Sequence, residues 1–90
     1  MGLKGNKMLE IYGKSYCGWC TKAVELANSY NLNHTYYNCD DNVNALLLRE
    51  RFPEIKTLPQ IWWNGKHIGG YKAFAEEVQN TIINYGQGAF

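Results

Sequence analysis

Two cysteines that are three positions apart, Cys17 and Cys20, constrain the fold of this chain more than any other feature of its sequence. An apolar run over residues 8–12 and the turn residue Gly13 precede the pair, and a run of helix-forming residues over 21–27 follows it. A C-x-x-C motif at a strand-to-helix turn within a β-α-β pattern is typical of thiol–disulfide redox sites. The helix would place Cys20 one turn after Cys17 on the same face, so the two sulfurs could bond without movement of the backbone.

The hydrophobic pattern predicts seven elements in the order β-α-β-α-β-β-α. Asn64-Gly65 between two apolar runs predicts a hairpin with a type I′ turn. The first β-α-β unit should be parallel and right-handed, and the hairpin antiparallel. We therefore expect an α/β fold with a mixed four-stranded sheet and helices on both of its faces. The predicted elements are a strand over 8–13, a helix over 18–31, a strand over 34–38, a helix over 42–52, a hairpin over 60–68 and a helix over 72–85.

Helical and strand periodicity also predict which side chains enter the core. Adjacent residues of a strand point to opposite faces, so we expect one of Trp62 and Trp63 to be buried and the other to be more exposed. We expect His34 and His67 to be solvated strand residues. The helical residues predicted to face inward are Ala23, Leu26, Ala27, Tyr30, Val43, Leu46, Leu47, Phe74, Val78, Ile82 and Tyr85.

Length and composition limit the classes of protein. Ninety residues predict one domain, here over 8–85, with a flexible leader over 1–7 and a flexible tail over 86–90. The net charge of +1, with no run of like charges, does not favour nucleic acid, and no apolar run approaches the ~18 residues of a membrane span. The leader lacks the apolar core of a signal peptide. Three cysteines indicate one functional pair and one spare thiol in a reducing compartment, so we expect a cytoplasmic monomer.

Three motifs, in order and at matching spacing, give the chain a resemblance to glutaredoxins, which are small members of the thioredoxin-like fold. They are Lys14-x-x-Cys17-Gly18-Trp19-Cys20, Thr57-Leu58-Pro59 and Gly69-Gly70. The resemblance covers roughly residues 8–85. It implies that the Leu58–Pro59 peptide is cis and faces Cys17, where an extended cysteine-containing peptide can pair with the residue before the proline.

The resemblance further implies a glutathione-dependent thiol–disulfide oxidoreductase. Cys17 would be the nucleophile and Cys20 the resolving thiol, and the helix N-terminus and Lys14 would both favour the Cys17 thiolate. Its substrates would be protein disulfides and glutathionylated proteins, with ribonucleotide reductase as a family expectation. The implied glutathione-binding residues are Lys14, Tyr16, Trp19, Lys56, Thr57, Leu58, Pro59, Gly69, Gly70, Tyr71 and Lys72.

The chain departs from the family pattern in two places. Family members commonly have Pro-Tyr between the cysteines, whereas this chain has Gly18-Trp19. The glycine loosens the turn, and the tryptophan retains an aromatic wall beside the thiol. The family also commonly has, two residues after Gly-Gly, an Asp that holds the γ-glutamyl amine of glutathione, whereas this chain has Lys72 followed by Ala73.

Three other functions remain open on the sequence. A thioredoxin-like reductant would be recycled by a reductase protein instead of glutathione. Because Gly18 replaces proline, a dimer that holds a bridging [2Fe–2S] cluster through Cys17 and glutathione is a further alternative. The spacing of Cys17, Cys20, His34 and Cys39 is also that of a four-ligand zinc module, although the intervening helix would carry His34 away from the cysteines. For the redox enzyme itself we expect no metal.

Overall fold

The structure is a computed structural model, and it describes the backbone of residues 8–83 and the side chains of residues 8–81. The predicted leader over 1–7, the predicted tail over 86–90 and the predicted core residue Tyr85 lie outside the described residues, as does the side chain of Ile82. None of the helices within the described residues is long and apolar enough to cross a membrane.

The elements follow the predicted order. Within residues 8–83 the order differs only after Val78, where the last α-helix gives way to a short π-helical segment. The bounds are β1 Leu9–Gly13, α1 Gly18–Ser29, β2 His34–Asn38, α2 Asn42–Arg51, β3 Gln60–Trp63, β4 Lys66–Gly69, α3 Tyr71–Val78 and the π-helical segment Gln79–Ile83.

The four strands form one mixed sheet in the order β2-β1-β3-β4. β1 and β2 are parallel, whereas β3 is antiparallel to both β1 and β4. Asn64 and Gly65 join β3 to β4 with φ angles of 57° and 82°, as the type I′ turn requires. In the β1–β3 register Tyr12 is opposite Gln60, so the segment that follows β1 and the segment that precedes β3 meet at one edge of the sheet.

Helices α1 and α3 pack on one face of the sheet. Two alanines of α1 and two larger apolar residues of α3 contact alternate residues of β1 and β3, which point to the same face. Tyr30, which was expected in this core, is instead exposed at the end of α1. The core on this face consists of Leu9, Ile11, Ala23, Ala27, Ile61, Trp63, Phe74 and Val78.

The opposite face is covered by α2 and the loop that follows it. Tyr12, Leu48 and Trp62 form its buried cluster, and Phe52 of the loop packs against them. Because both faces are covered, Trp62 and Trp63 are both buried, and the prediction that one would be more exposed is wrong.

The inward face of α2 also differs from the prediction. Val43, Leu46 and Leu47 were expected to face the core, but they are 64%, 61% and 46% exposed, whereas Leu48 is 3% exposed. The sequence Leu46-Leu47-Leu48 offers three neighbouring apolar positions on a helix of 10 residues. The orientation of α2 about its axis turns Leu48 toward the sheet and leaves the other two leucines exposed.

Candidate redox site

The N-terminus of α1 holds the first cysteine of the motif. Cys17 is the N-cap residue, with φ −109° and ψ 109°, and its Sγ accepts a hydrogen bond of 3.2 Å from the backbone N–H of Cys20. The carbonyl oxygen of Cys17 accepts from the N–H and the hydroxyl of Thr21 at 3.1 and 3.2 Å. The sulfur therefore takes the place of a capping oxygen, where a partial positive charge favours an anion.

The two cysteines of the motif form a disulfide, with their Cα atoms 5.2 Å apart. They differ in access to solvent. Cys20 is 1% exposed, whereas Cys17 is half-buried at the surface of the helix N-terminus. The sulfur of Cys17 is therefore accessible to an incoming disulfide, whereas the buried Cys20 can react only with the sulfur of Cys17.

The loop before β3 lies beside Cys17. The Leu58–Pro59 peptide is cis, and the carbonyl oxygen of Leu58 lies 4.0 Å from the Sγ of Cys17. A Cβ added to Gly70 would lie 3.7 Å from the carbonyl oxygen of Pro59, so the glycine pair lies against the loop before β3. The cis-proline motif thus lies beside the sulfur of Cys17, and the glycine motif lies against the cis-proline motif.

A groove of about 440 Å³ runs from this loop to α2. Three cationic side chains line it from three different segments: Lys14 from the loop after β1, Arg49 from α2 and Lys56 from the loop before β3. We call it the basic groove. Arg49 was missed by the sequence reasoning, because nothing in the pattern of α2 indicated which of its polar residues turns toward the site. The full lining is Lys14, Cys39, Ala45, Leu48, Arg49, Ile55, Lys56, Thr57 and Leu58.

An aromatic pair joins the cysteine motif to the start of α3. Trp19 is 58% exposed, and its ring centroid lies 5.4 Å from that of Tyr71 at the start of α3. Tyr16 is fully exposed and has a φ of 59°, a left-handed conformation in the turn immediately before Cys17. The predicted aromatic wall is thus present at Trp19, and it continues onto α3.

Helix α3 begins at the glycine pair without an acidic side chain. Gly70 is its N-cap residue, no side chain among the described residues caps it, and its first turn carries Tyr71 and Lys72 but no carboxylate. Gly69 has a φ of 119°, which only glycine adopts readily. The site therefore has a helix N-terminus near Pro59, but it lacks the family's carboxylate at that point.

Gly13 is a site residue that the sequence reasoning treated only as a turn. A Cβ at this position would lie 2.9 Å from both the Cβ and the Sγ of Cys20, and it would also collide with the hydroxyl of Tyr36. That hydroxyl donates to the carbonyl oxygen of Lys14 at 3.3 Å. The absence of a side chain at Gly13 therefore lets the buried cysteine pack against the end of β1. The glycine directly before the motif is the sequence signal from which this close contact could have been predicted.

The spare thiol, Cys39, lies at the edge of the basic groove. It donates weakly to the carbonyl oxygen of Tyr37 at 3.9 Å, and burial, with a smaller contribution from Asp40, raises the pKa of its thiol. Within residues 8–83 no three His, Cys, Asp or Glu side chains lie close enough together to hold a metal ion. The zinc set that includes His34 is therefore not assembled in the folded chain.

A parallel β-α-β unit, a cis-proline loop and a C-x-x-C pair at the first turn of a helix define a thiol–disulfide oxidoreductase with a thioredoxin-like fold. The glutaredoxin family model matches residues 9–68, more than half of the chain. The chain belongs to the glutaredoxin family, and Cys17-Gly18-Trp19-Cys20 fits the C-x-x-C active site of that family.

Similar proteins support the assignment. Glutaredoxin-C4 of Arabidopsis thaliana is 32% identical over 63 residues, which are 67% of this chain and 47% of that protein. Glutaredoxin 1 of Escherichia coli (strain K12) is 27% identical over 79 residues, which are 80% of this chain and 93% of that protein. A buckwheat glutaredoxin, in a crystal structure of its glutathione complex, shares the fold with a TM-score of 0.67 at 24% identity, over 80% of this chain and 68% of that one. The chain thus spans about half the length of the Arabidopsis relative.

Proposed function

We propose that this chain is a glutathione-dependent thiol–disulfide oxidoreductase in which Cys17 is the nucleophile and Cys20 the resolving thiol. The observation that carries the proposal is the position of the Cys17 sulfur. It caps α1 and accepts the N–H of Cys20 at 3.2 Å, so the helix N-terminus stabilises the thiolate that forms on reduction. The difference in exposure between the two cysteines supports the division of their roles.

The basic groove supports glutathione as the reductant. Glutathione is a tripeptide with two free carboxylates, and Lys14, Arg49 and Lys56 line a groove that ends at Leu58 beside Cys17. Lysine and arginine both bind carboxylates, arginine in a bidentate fork. We assign the glycyl carboxylate to this groove. The N-terminus of α3 at Gly70 would accept the γ-glutamyl carboxylate through backbone N–H groups.

The remaining contacts follow from the same geometry. An extended cysteinyl backbone would pair with Leu58 while Thr57 and Pro59 hold the loop, and Trp19 and Tyr71 would cover its other side. Tyr16 and Gly69 border the site. The buckwheat glutaredoxin that was crystallised with glutathione has this fold, which supports glutathione as the reductant.

The proposed monothiol cycle needs only Cys17. Its thiolate attacks the glutathionyl sulfur of a protein mixed disulfide, so a Cys17–glutathione bond forms, the protein–glutathione bond breaks, and the protein thiolate leaves and takes up a proton. A second glutathione thiolate then attacks the glutathionyl sulfur on Cys17, releasing oxidised glutathione and the Cys17 thiolate. A thiolate stabilised by the helix is a good leaving group in this second step.

The dithiol cycle uses Cys20 as well. Cys17 attacks a protein disulfide, and Cys20 then attacks the sulfur of Cys17, so the substrate leaves with two thiols and the Cys17–Cys20 disulfide forms. Two glutathione molecules reduce that disulfide and become one molecule of oxidised glutathione. The 5.2 Å separation of the two Cα atoms suits this exchange, because it lies within the range of ordinary disulfides.

The cellular setting is part of the proposal. We propose a monomer in the reducing cytoplasm, acting on glutathionylated proteins and protein disulfides, with ribonucleotide reductase as one candidate. A second function is favoured by one observation, the lysine in place of a carboxylate at the start of α3. With weaker glutathione binding, the same cysteine pair would act as a thioredoxin-like reductant recycled by a reductase protein.

One assay distinguishes the two electron donors. Reduction of a glutathionylated peptide is coupled to glutathione reductase and NADPH, with wild type, Cys17→Ser and Cys20→Ser run side by side. We expect Cys17→Ser to be inactive and Cys20→Ser to retain turnover, because the monothiol cycle does not need the second cysteine. If the wild type is inactive in this assay but reduces a protein disulfide with thioredoxin reductase as the donor, its electron donor is a reductase protein and not glutathione. Inactivity with both donors would reject the proposed function.

A further inference from the structure

A buried amide lies directly behind the cis-proline loop. Gln60, the first residue of β3, is 6% exposed although its side chain is polar. Its Nε2 donates to the carbonyl oxygen of Thr57 at 3.0 Å and to the Thr57 hydroxyl at 3.4 Å. Its Oε1 lies 2.8 Å from the Nε2 of His67 on β4. All polar atoms of this amide therefore have partners.

The chemistry of these partners fixes the direction of each hydrogen bond. A backbone carbonyl only accepts, so the atom of Gln60 that faces Thr57 must be the amide nitrogen. The amide oxygen then faces His67 and also only accepts. His67 therefore carries its proton on Nε2 and donates it to Gln60.

His67 is itself held by aromatic rings. It lies opposite Trp62 in the β3–β4 register, and the two rings stack with centroids 4.5 Å apart. The ring of Phe52 also packs against His67, with centroids 4.6 Å apart, and lies 6.5 Å from that of Trp62, so the two aromatic rings contact neighbouring sides of the imidazole. These ring contacts and the hydrogen bond to Gln60 together orient the imidazole and its N–H donor.

The chain of contacts ends at the reactive sulfur. Thr57 is an exposed loop residue, and no β-ladder includes the segment 52–59 within the described residues. Gln60 thus anchors Thr57, and the next residue, Leu58, presents its carbonyl oxygen 4.0 Å from the Sγ of Cys17. A shift of the Thr57 carbonyl would be passed directly to Leu58, because the two share a planar peptide.

We propose that His67 and Gln60 are positioning residues for this redox site. They hold Thr57, and through it they keep the backbone edge of Leu58 in line with Cys17, where the backbone of a peptide disulfide aligns. The inference rests on the proposed function, since it specifies how that function selects a substrate with a peptide backbone over a small disulfide that has none. His67 is exposed, as the sequence predicted for a solvated strand residue. Its contact with Gln60 could not be predicted, because only the fold brings the hairpin and the loop behind it together.

The decisive variant is His67→Phe, which keeps a ring in contact with Trp62 and Phe52 but removes the N–H donor. We measure second-order rate constants of the reduced protein with two substrates, a glutathionylated cysteine in an extended peptide and hydroxyethyl disulfide. We expect a loss of about fivefold with the peptide, the equivalent of one hydrogen bond of about 1 kcal/mol, and less than about twofold with hydroxyethyl disulfide. His67→Gln retains an N–H donor and should recover most of the peptide rate.

The matched control is His34→Phe, the same substitution on β2 at the opposite edge of the sheet. It should leave both rate constants at the wild-type value. Equal losses of His67→Phe on both substrates, or no loss on either, would overturn the proposal.

A spectroscopic measurement separates this inference from the proposed function. Nitrogen-15 NMR of the wild type should show His67 protonated on Nε2 at pH 8, and the amide signals of Thr57 and Leu58 should shift in His67→Phe and return in His67→Gln. If the wild type reduces neither substrate, the proposed function fails and these spectra still decide the positioning role. Unmoved Thr57 and Leu58 signals in His67→Phe would overturn it.

Discussion

The carbonyl oxygen of Leu58 lies 4.0 Å from the Sγ of Cys17, although 41 positions of sequence separate the two residues. The sheet produces this proximity. β1 and β3 are adjacent and antiparallel, with Tyr12 opposite Gln60, so the turn that leaves β1 and the loop that enters β3 lie at the same edge. Cys17 and the backbone edge of Leu58 are therefore held by two neighbouring strands.

Gly13→Ala should destabilise the protein by about 1–3 kcal/mol, the usual cost of overpacking. The added methyl group would lie 2.9 Å from the Cβ and Sγ of Cys20, and neither atom has room to move away because Cys20 is buried. Urea denaturation of the oxidised protein measures the change. Gly18→Ala is the matched control, because a Cβ there has no neighbour within 4 Å among the described residues.

Gly18→Ala should leave the free energy of unfolding unchanged or raise it by about 0.5–1 kcal/mol, since Gly18 is the first residue of α1 and alanine restricts the unfolded chain. If both alanine variants have the same stability, the close approach of Gly13 to Cys20 does not exist in solution.

Lys72→Asp should lower the KM for a glutathionylated peptide by about two- to fivefold, the range of an exposed ion pair. The substitution supplies a carboxylate in the first turn of α3, where none is present, and removes a cation that would repel the γ-glutamyl ammonium group in the proposed complex. The coupled assay with glutathione reductase measures it, and added salt should reduce the gain.

Lys66→Asp makes the same change of charge in the β3–β4 hairpin, away from the redox site, and should leave the KM unchanged. An equal gain in the two variants would indicate a general effect of net charge, and no gain in Lys72→Asp would indicate that the γ-glutamyl group lies elsewhere.

The stability of the protein should fall below neutral pH in a way that depends on His67. Partial desolvation of the imidazole by its neighbours, and secondarily the charge of Arg51, lower the pKa of His67 from its ordinary value of 6.5. The folded state thus favours neutral histidine, so the stabilisation is complete above pH 6.5 and is lost as the pH falls through the lowered folded pKa. Urea denaturation at several pH values between 7.5 and 5 should give a shallower decline for His67→Gln than for wild type. Parallel curves would contradict the shift.

Cys39 should react slowly with iodoacetamide in the reduced, folded protein at pH 7. Burial and Asp40 raise the pKa of its thiol, so less thiolate is present than in an ordinary cysteine. Mass spectrometry of timed samples should find Cys17 modified first. Asp40→Asn removes one of the two causes and should accelerate the modification of Cys39, whereas Asp41→Asn, a neighbouring change of equal charge, should not. Rapid modification of Cys39 in the wild type would contradict the raised pKa.

Local sequence signals were sufficient for the order of elements and for the reactive pair. A glycine before Cys17 and helix-forming residues after it predict the helix start, since these preferences act within one turn of the chain. Asn64-Gly65 likewise predicts its turn, because both residues adopt positive φ at low cost. The cis peptide at Leu58–Pro59 was implied only by the family resemblance.

The orientation of α2 was decided by the tertiary structure. Val43, Leu46 and Leu47 satisfied the helical pattern as well as Leu48 did, and only the position of the sheet selected Leu48. Periodicity identifies an apolar stripe but not which side of a short apolar run the rest of the protein will cover. The burial of both Trp62 and Trp63 has the same origin, since the coverage of the second face depends on α2 and its loop.

The sequence by itself determined that this protein has a thiol pair at a helix N-terminus within a glutaredoxin-like order of elements. Only the tertiary structure brought Arg49 to the same groove as Lys14 and Lys56, and joined His67 through Gln60 to the loop beside Cys17. The physical reason is the range of the interactions. Helix starts and tight turns depend on the conformational preferences of a few consecutive residues, whereas grooves and hydrogen-bond chains depend on distances between strands that the sequence separates by tens of residues.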